Sequence, residues 1–157
     1  MIILGIDPGF DRVGIAVLKK ERGTETLLYS ACFTTDRTAD FIDRLAAVGG
    51  EIGRVIEAHS PDTLAIENLF LSNNQKTAMR VAEARGAIIY EAARRGLSVH
   101  EYTPLQIKSA LTGYGKATKD QVTFMAGKIL TLDLSSKIDD ECDAIAIALT
   151  HSATIRL

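Results

Sequence analysis

Residues 2–18 read IILGIDPGFDRVGIAVL, and the fold turns on how this stretch pairs. An apolar run, Ile2 to Ile6 with Gly5 inside it, leads straight into Asp7, and a second apolar run follows Gly14. The pattern predicts two buried strands, 2–7 and 13–20, joined by the turn PGFDR with Pro8 and Gly9 as turn formers. A link this short makes the strands antiparallel. A third strand is expected at 25–34 (ETLLYSACFT), beyond a turn at Gly23, which completes a meander. Asp7 is the odd residue. An unpaired ionised carboxylate at the mouth of a buried strand costs several kcal/mol or more. It either caps the turn or has a positive neighbour.

Beyond the meander, Thr35 and Asp36 offer an N-cap. Phe41, Ile42, Leu45, Val48, Ile52, Val55 and Ile56 then recur at helical spacing across 38–58. TLAIE (63–67) is a short apolar strand that also ends on a carboxylate, Glu67. A helix is expected from Gln75 to Arg95, ended by Gly96, and LSVHEY (97–102) is the next strand. Thr103-Pro104 opens a short helix to Leu111, Pro104 suiting the first helical position. Helices follow at 119–130 and 138–151. The order βββ-α-β-α-β-α-α-α describes a mixed α/β domain. The 157 residues suit one domain over 1–157, without repeats or linkers. The 75–95 helix carries two stripes, Ala78-Ala82-Gly86-Ile89-Ala93 and Val81-Ala84-Ile88-Ala92. One can pack on the sheet. The other allows close approach of a further helix, from this chain or from a second copy in a symmetric dimer.

Composition narrows the function. With 46% apolar and 24% charged residues the chain is ordinary for a soluble protein. No apolar run approaches a membrane span, and the N-terminus lacks the basic region and cleavage site of a signal peptide, so a cytoplasmic location is expected. Cys32 and Cys142 form no CxxC or CxxH group, which argues against zinc. The net charge of −2 hides a separation. Residues 76–119 hold eight Lys or Arg against three Glu, a net +5 that leaves −7 elsewhere. A basic middle in an acidic chain fits an anionic polymer held on one face, or merely two solvated helix faces.

The carboxylates point to chemistry. Asp7 and Glu67 both end strands, and ligands gather at the carboxyl ends of parallel strands. In KIDDECDAIAIALTH (137–151), Asp140 and Asp143 share a helix face at i, i+3, as do Asp139 and Asp143 at i, i+4. Ile138, Ala144, Ile145 and Leu149 would dock this helix on the core. Four carboxylates brought together repel unless some protonate or divalent cations neutralise them. Oxygen-only sites suit Mg²⁺ or Mn²⁺, and two such ions can drive phosphodiester hydrolysis. Each carboxylate taken singly has a plainer reading, as a turn cap, a strand-rim charge or a helix N-terminal charge.

Six segments occur in order over nearly the whole chain: IDPG (6–9), IENLF (66–70), NQKTAMRVAEARG (74–86), Y-x-P-x-x-IK (102–108), GYGKATKDQV (113–122) and DECDAIAIALTH (140–151). Together they resemble the RuvC family of Holliday junction resolvases. The resemblance implies a ribonuclease H-like fold with a five-stranded mixed sheet flanked by helices. It implies a homodimer that nicks two opposed strands of a four-way DNA junction with Mg²⁺ or Mn²⁺. By motif position, Asp7, Glu67, Asp140 and Asp143 are the metal-binding catalytic carboxylates, which selects Asp140 over Asp139. Lys108 and Lys119 fall on basic positions near the cut strand, and Phe70 on an aromatic that stacks on bases. Lys76, Arg80 and Lys116 are expected to touch phosphates. A branch-migration motor of the RuvAB type is the usual partner. The chain departs from the pattern at Val13, where a hydroxyl residue is common, in the lack of the usual glycine within GIAVL, and at Asp11, an added charge in the first turn. A non-catalytic junction-binding module, a sugar-kinase-like phosphotransferase and a YqgF-like RNA nuclease are the competing readings. The chain lacks the second DxG hairpin that a phosphotransferase needs.

Overall fold

A computed structural model describes residues 1–68 and 75–155, apart from the side chains of Gln75 and Lys76. Three strands, β1 (Ile2–Asp7), β2 (Arg12–Glu21) and β3 (Thr24–Thr34), form the antiparallel meander. After α1 (Phe41–His59), strand β4 (Thr63–Glu67) pairs parallel to β1. After α2 (Gln75–Ala93), strand β5 (Ser98–Tyr102) pairs parallel to β4. The sheet order is β3-β2-β1-β4-β5. Helices α3 (Pro104–Thr112), α4 (Lys119–Leu130) and α5 (Asp139–Thr154) close the chain.

The sheet has two buried faces because each inner strand is apolar on both sides. Leu4, Ile6, Val13, Ile15, Val17, Leu64 and Ile66 pack on one face with Val48, Ile52, Val55 and Ile56 of α1 and Ile88 and Ala92 of α2. Ile3, Ala16, Leu18 and Ala65 pack on the other face, against α5. Each fully buried Ile or Leu contributes about 1.5–3 kcal/mol. Helix α5 is buried almost all round, from Glu141 to Ser152, between the sheet and α3 and α4. Its alternating small residues let it lie very close to the strands. A Cβ built on Gly5 would meet the Ala144 carbonyl at 2.4 Å, and one on Gly14 the Asp140 carbonyl at 1.9 Å.

Several expected boundaries move. Helix α1 starts at Phe41 behind Asp40, not near Thr35. Thr35 is buried and engaged elsewhere: its hydroxyl donates to the Phe10 carbonyl (2.7 Å) and accepts from Arg44 Nε (3.0 Å). Asp36 caps a local turn through the Thr38 amide. Ile42 is exposed, and the buried Arg44 takes the inward position instead. Helix α2 ends at Ala93 rather than Arg95, with Gly96 in the left-handed region at φ +85°. The stripe that packs on the sheet is Ala84-Ile88-Ala92, fully buried, whereas Ala82, Gly86 and Ala93 stay exposed. Ile138 does not dock α5. It is the N-cap residue and is half-exposed.

Candidate active site

Strand alternation aims the first two carboxylates. Ile3, Gly5 and Asp7 point to the α5 face of β1, and Thr63, Ala65 and Glu67 to the same face of β4. The parallel register sets Ile6 beside Ile66, so Asp7 and Glu67 leave neighbouring strands at one end and on one face. Helix α5 begins there. Asp7 pairs across the hairpin with Gly14, the residue on which the Asp140 backbone rests. Gly14 thus lets the acidic first turn of α5 reach the strand ends.

The four carboxylates feel one another. Burial, then the charges of Asp143, Glu67 and Asp140, push Asp7 up from 3.8 to about 8, with Lys119 opposing. Burial and Asp143 raise Glu67, against Lys119 and Lys108. Burial also raises Asp143, although Lys119 donates to it at 2.7 Å. Asp140 Oδ2 is shut off from solvent and accepts no hydrogen bond, and its charge neighbour is Arg12, 3.0 Å away. Asp139 is exposed and only grazes Lys119 at 3.5 Å. Glu141 turns away to Ser30 and Lys137, both at 2.5 Å. Burial works against its charge, but these partners hold it ionised. Asp11 pairs with Arg44 and adds no charge to the cluster.

Glu67, Asp143, Lys108 and Lys119 line a cleft of about 240 Å³ floored by Ile107, Val122, Ala146 and Ile147. Lys108 and Lys116 form no ion pair among the described residues. The basic middle of the chain is not one face. Arg85 pairs with Glu101, Arg94 with Glu91, and Arg95 with Glu57 and Glu91, so these three serve the scaffold. Arg80 lies over the rings of Phe41 (5.0 Å) and Phe10 (5.8 Å), next to the Asp7 turn. Phe70 and the Lys76 side chain lie outside the described residues. Sequence reasoning missed Arg12. Nothing in its local pattern marks it, because its partner lies on α5, more than a hundred residues away.

The raised carboxylates carry a pH signature. Between 3.8 and about 8 the folded protein holds a proton on Asp7 that the unfolded chain has lost. Unfolding free energy therefore falls as pH rises through this window. His151 acts oppositely. Burial and the charge of His100 push it down from 6.5 to about 4, so its contribution is lost as pH falls. The difference between wild type and Asp7→Asn isolates the carboxylate. In EDTA, the wild-type Tm should fall relative to that of Asp7→Asn as pH rises from about 5 to about 8. Parallel Tm curves would contradict the burial of charge assigned to Asp7.

A five-stranded mixed sheet with carboxylates at the ends of two inner parallel strands, faced by the acidic start of a helix, defines a ribonuclease H-like nuclease. The family model described as crossover junction endodeoxyribonuclease RuvC matches residues 3–151. The RuvC protein of Ruminiclostridium cellulolyticum is 41% identical over 100% of this chain and 95% of its own length. Thermus thermophilus RuvC superposes with a TM-score of 0.90 at 31% identity, covering 98% of this chain and 94% of that one. The same protein in complex with a Holliday junction substrate superposes at 0.89, with 29% identity over 98% and 94% of the two chains. The chain belongs to the RuvC family.

Proposed function

We propose that the protein resolves four-way DNA junctions in recombination and repair, nicking two opposed strands symmetrically to leave 5′-phosphate and 3′-hydroxyl ends. The observation that carries this reading is Asp7, a half-buried carboxylate gathered with three others and lifted to about 8 by partial burial and by their charge. Such a cluster gains stability from a divalent cation. The donors fit one: they are all carboxylate oxygens, and Asp140 Oδ2 is buried without a hydrogen bond. Among the described residues no three ligating side chains form a ready cage, so the donors are gathered rather than converged.

Asp7, Glu67, Asp140 and Asp143 would hold two Mg²⁺ ions, with Mn²⁺ able to replace them. When bound, the ions supply Lewis acidity to the phosphate and a lowered pKa to water. The chain's own residues do the rest. Lys119, held on Asp143, and Lys108, across the cleft, draw the scissile phosphate to the carboxylates. The apolar cleft floor limits water around them. Lys116 adds a phosphate contact beside Lys119. Lys76 and Arg80, one turn apart in the basic 76–119 segment, serve the arms, and by motif position Phe70 serves the junction centre. A second copy would dock through the exposed Ala82-Gly86-Ala93 stripe of α2, where a Cβ on Gly86 would meet nothing within 4 Å. A two-fold dimer presents two sites to a nearly two-fold junction. A RuvAB-type motor and a cytoplasmic location complete the reading. No helix among the described residues is long and apolar enough to cross a membrane.

A labelled mobile four-way junction and a matched linear duplex, each incubated with Mg²⁺ and with EDTA, test the function. Paired symmetric nicks in the junction alone, lost in EDTA, are expected. Equal cutting of the duplex, or cutting in EDTA, would overturn it.

A further inference from the structure

We infer that Arg12 is an internal placeholder for the divalent ion at Asp140: it competes directly with the metal and keeps the free enzyme's metal affinity low. The inference rests on the proposed carboxylate metal site. Arg12 opens β2 directly after the Asp7 turn. That turn is tight, since a Cβ on Gly9 would stand 2.1 Å from the Arg12 carbonyl. Arg12 is thereby folded back towards the strand end that carries Asp7. Its guanidinium stands 3.0 Å from Asp140 Oδ2, the buried oxygen that accepts no hydrogen bond.

The contact has the marks of an exchangeable one. The Arg12 side chain is 51% exposed, so solvent screens the pair and can take up the released guanidinium. Its geometry satisfies charge but not hydrogen bonding, which leaves the oxygen able to accept a better partner. Asp143 carries its own cation, Lys119, whereas Asp7 and Glu67 have no ion-pair partner among the described residues. The two helix carboxylates are thus neutralised internally and the two strand carboxylates are not. A divalent ion shared by Asp7 and Asp140 would sit against the guanidinium, and like charges at such a distance repel strongly. Arg12 must move aside for the ion. A phosphate arriving with DNA offers it a new partner, which links metal loading to substrate.

The test is Mn²⁺ binding to DNA-free protein, read from the electron paramagnetic resonance of free Mn²⁺. Arg12→Gln should bind Mn²⁺ about tenfold more tightly than wild type. Arg12→Ala serves as a second variant, and the Tm in EDTA verifies that both fold. Lys108→Gln removes a cation that acts on Glu67 only through space, and it should give a clearly smaller gain. Unchanged or weaker binding in both Arg12 variants would overturn the inference, as would an equal gain in Lys108→Gln. Wild-type binding no tighter than that of Asp7→Asn would instead sink the metal-site reading beneath it.

Discussion

Asp7→Asn is expected to abolish junction cleavage, with a loss of about a thousandfold or more, while junction binding in EDTA stays within about threefold. The amide keeps the shape of the side chain and loses the charge that a metal ion needs. At the proposed metal site, removing one charged ligand would cost several kcal/mol of transition-state stabilisation, and each 1.36 kcal/mol is a decade in rate. Binding should persist because phosphate contacts come from lysines and arginines, and the Asp7 carboxyl offers a phosphate no cation. Unfolding cannot explain the loss. Asp7 is held at about 8 by burial and like charge, so the uncharged Asn should raise the Tm of the metal-free protein above wild type near pH 8. Single-turnover cleavage, junction binding and Tm on one preparation settle the matter. Residual cleavage above about one per cent of wild type would remove Asp7 from the role assigned to it.

Gly14→Ala should be the most damaging single methyl in the chain, destabilising by about 3 kcal/mol and lowering Tm by roughly 6–12 °C. The added Cβ would lie 1.9 Å from the Asp140 carbonyl oxygen and 2.6 Å from its carbon. These are backbone atoms of a buried helix that no rotamer change can move. Relief requires α5 to lift from β2, which opens the contacts of Ala144, Ala148 and their neighbours with the sheet. It also withdraws Asp140 and Asp143 from Asp7 and Glu67, so cleavage should fall even where the protein remains folded. Gly50→Ala, on the exposed side of α1, is the control. Its Cβ meets nothing within 4 Å in the single chain, and the substitution favours helix by about 1 kcal/mol. Thermal melts of both variants decide the first part, and Mn²⁺ binding by the folded fraction decides the second. A Gly14→Ala protein that melts with wild type would show that α5 does not press on the strand as described.

Much of this arrangement is legible in local pattern. The strands at 2–7 and 63–67 and the helix at 119–130 appear where apolar period and turn residues put them. Element ends are less legible where a residue has two possible employments. Thr35 suits a helix N-cap by type, but its hydroxyl is taken by Phe10 and Arg44, so α1 begins later. The two small-residue stripes of α2 are equivalent in sequence, and only packing selects Ala84-Ile88-Ala92 for the sheet.

The basic middle of the chain shows the limit more sharply. Counting charges gave eight cations over 76–119, but pairing with Glu57, Glu91 and Glu101 withdraws three of them. Coulomb attraction acts over a few ångströms, and a distance in sequence does not report it.

The sequence by itself determined the alternation that aims Asp7 and Glu67 at one face, the i, i+3 spacing of Asp140 and Asp143, and the family motifs. These are properties of neighbours along the chain, set by backbone geometry alone. Only the tertiary structure decided that α5 settles on Gly5 and Gly14, that Asp140 meets Arg12, and that Asp11 and Glu141 are spoken for elsewhere. Those contacts join residues far apart in the chain. They depend on how closely two surfaces approach, which packing fixes to a fraction of an ångström and sequence spacing does not encode.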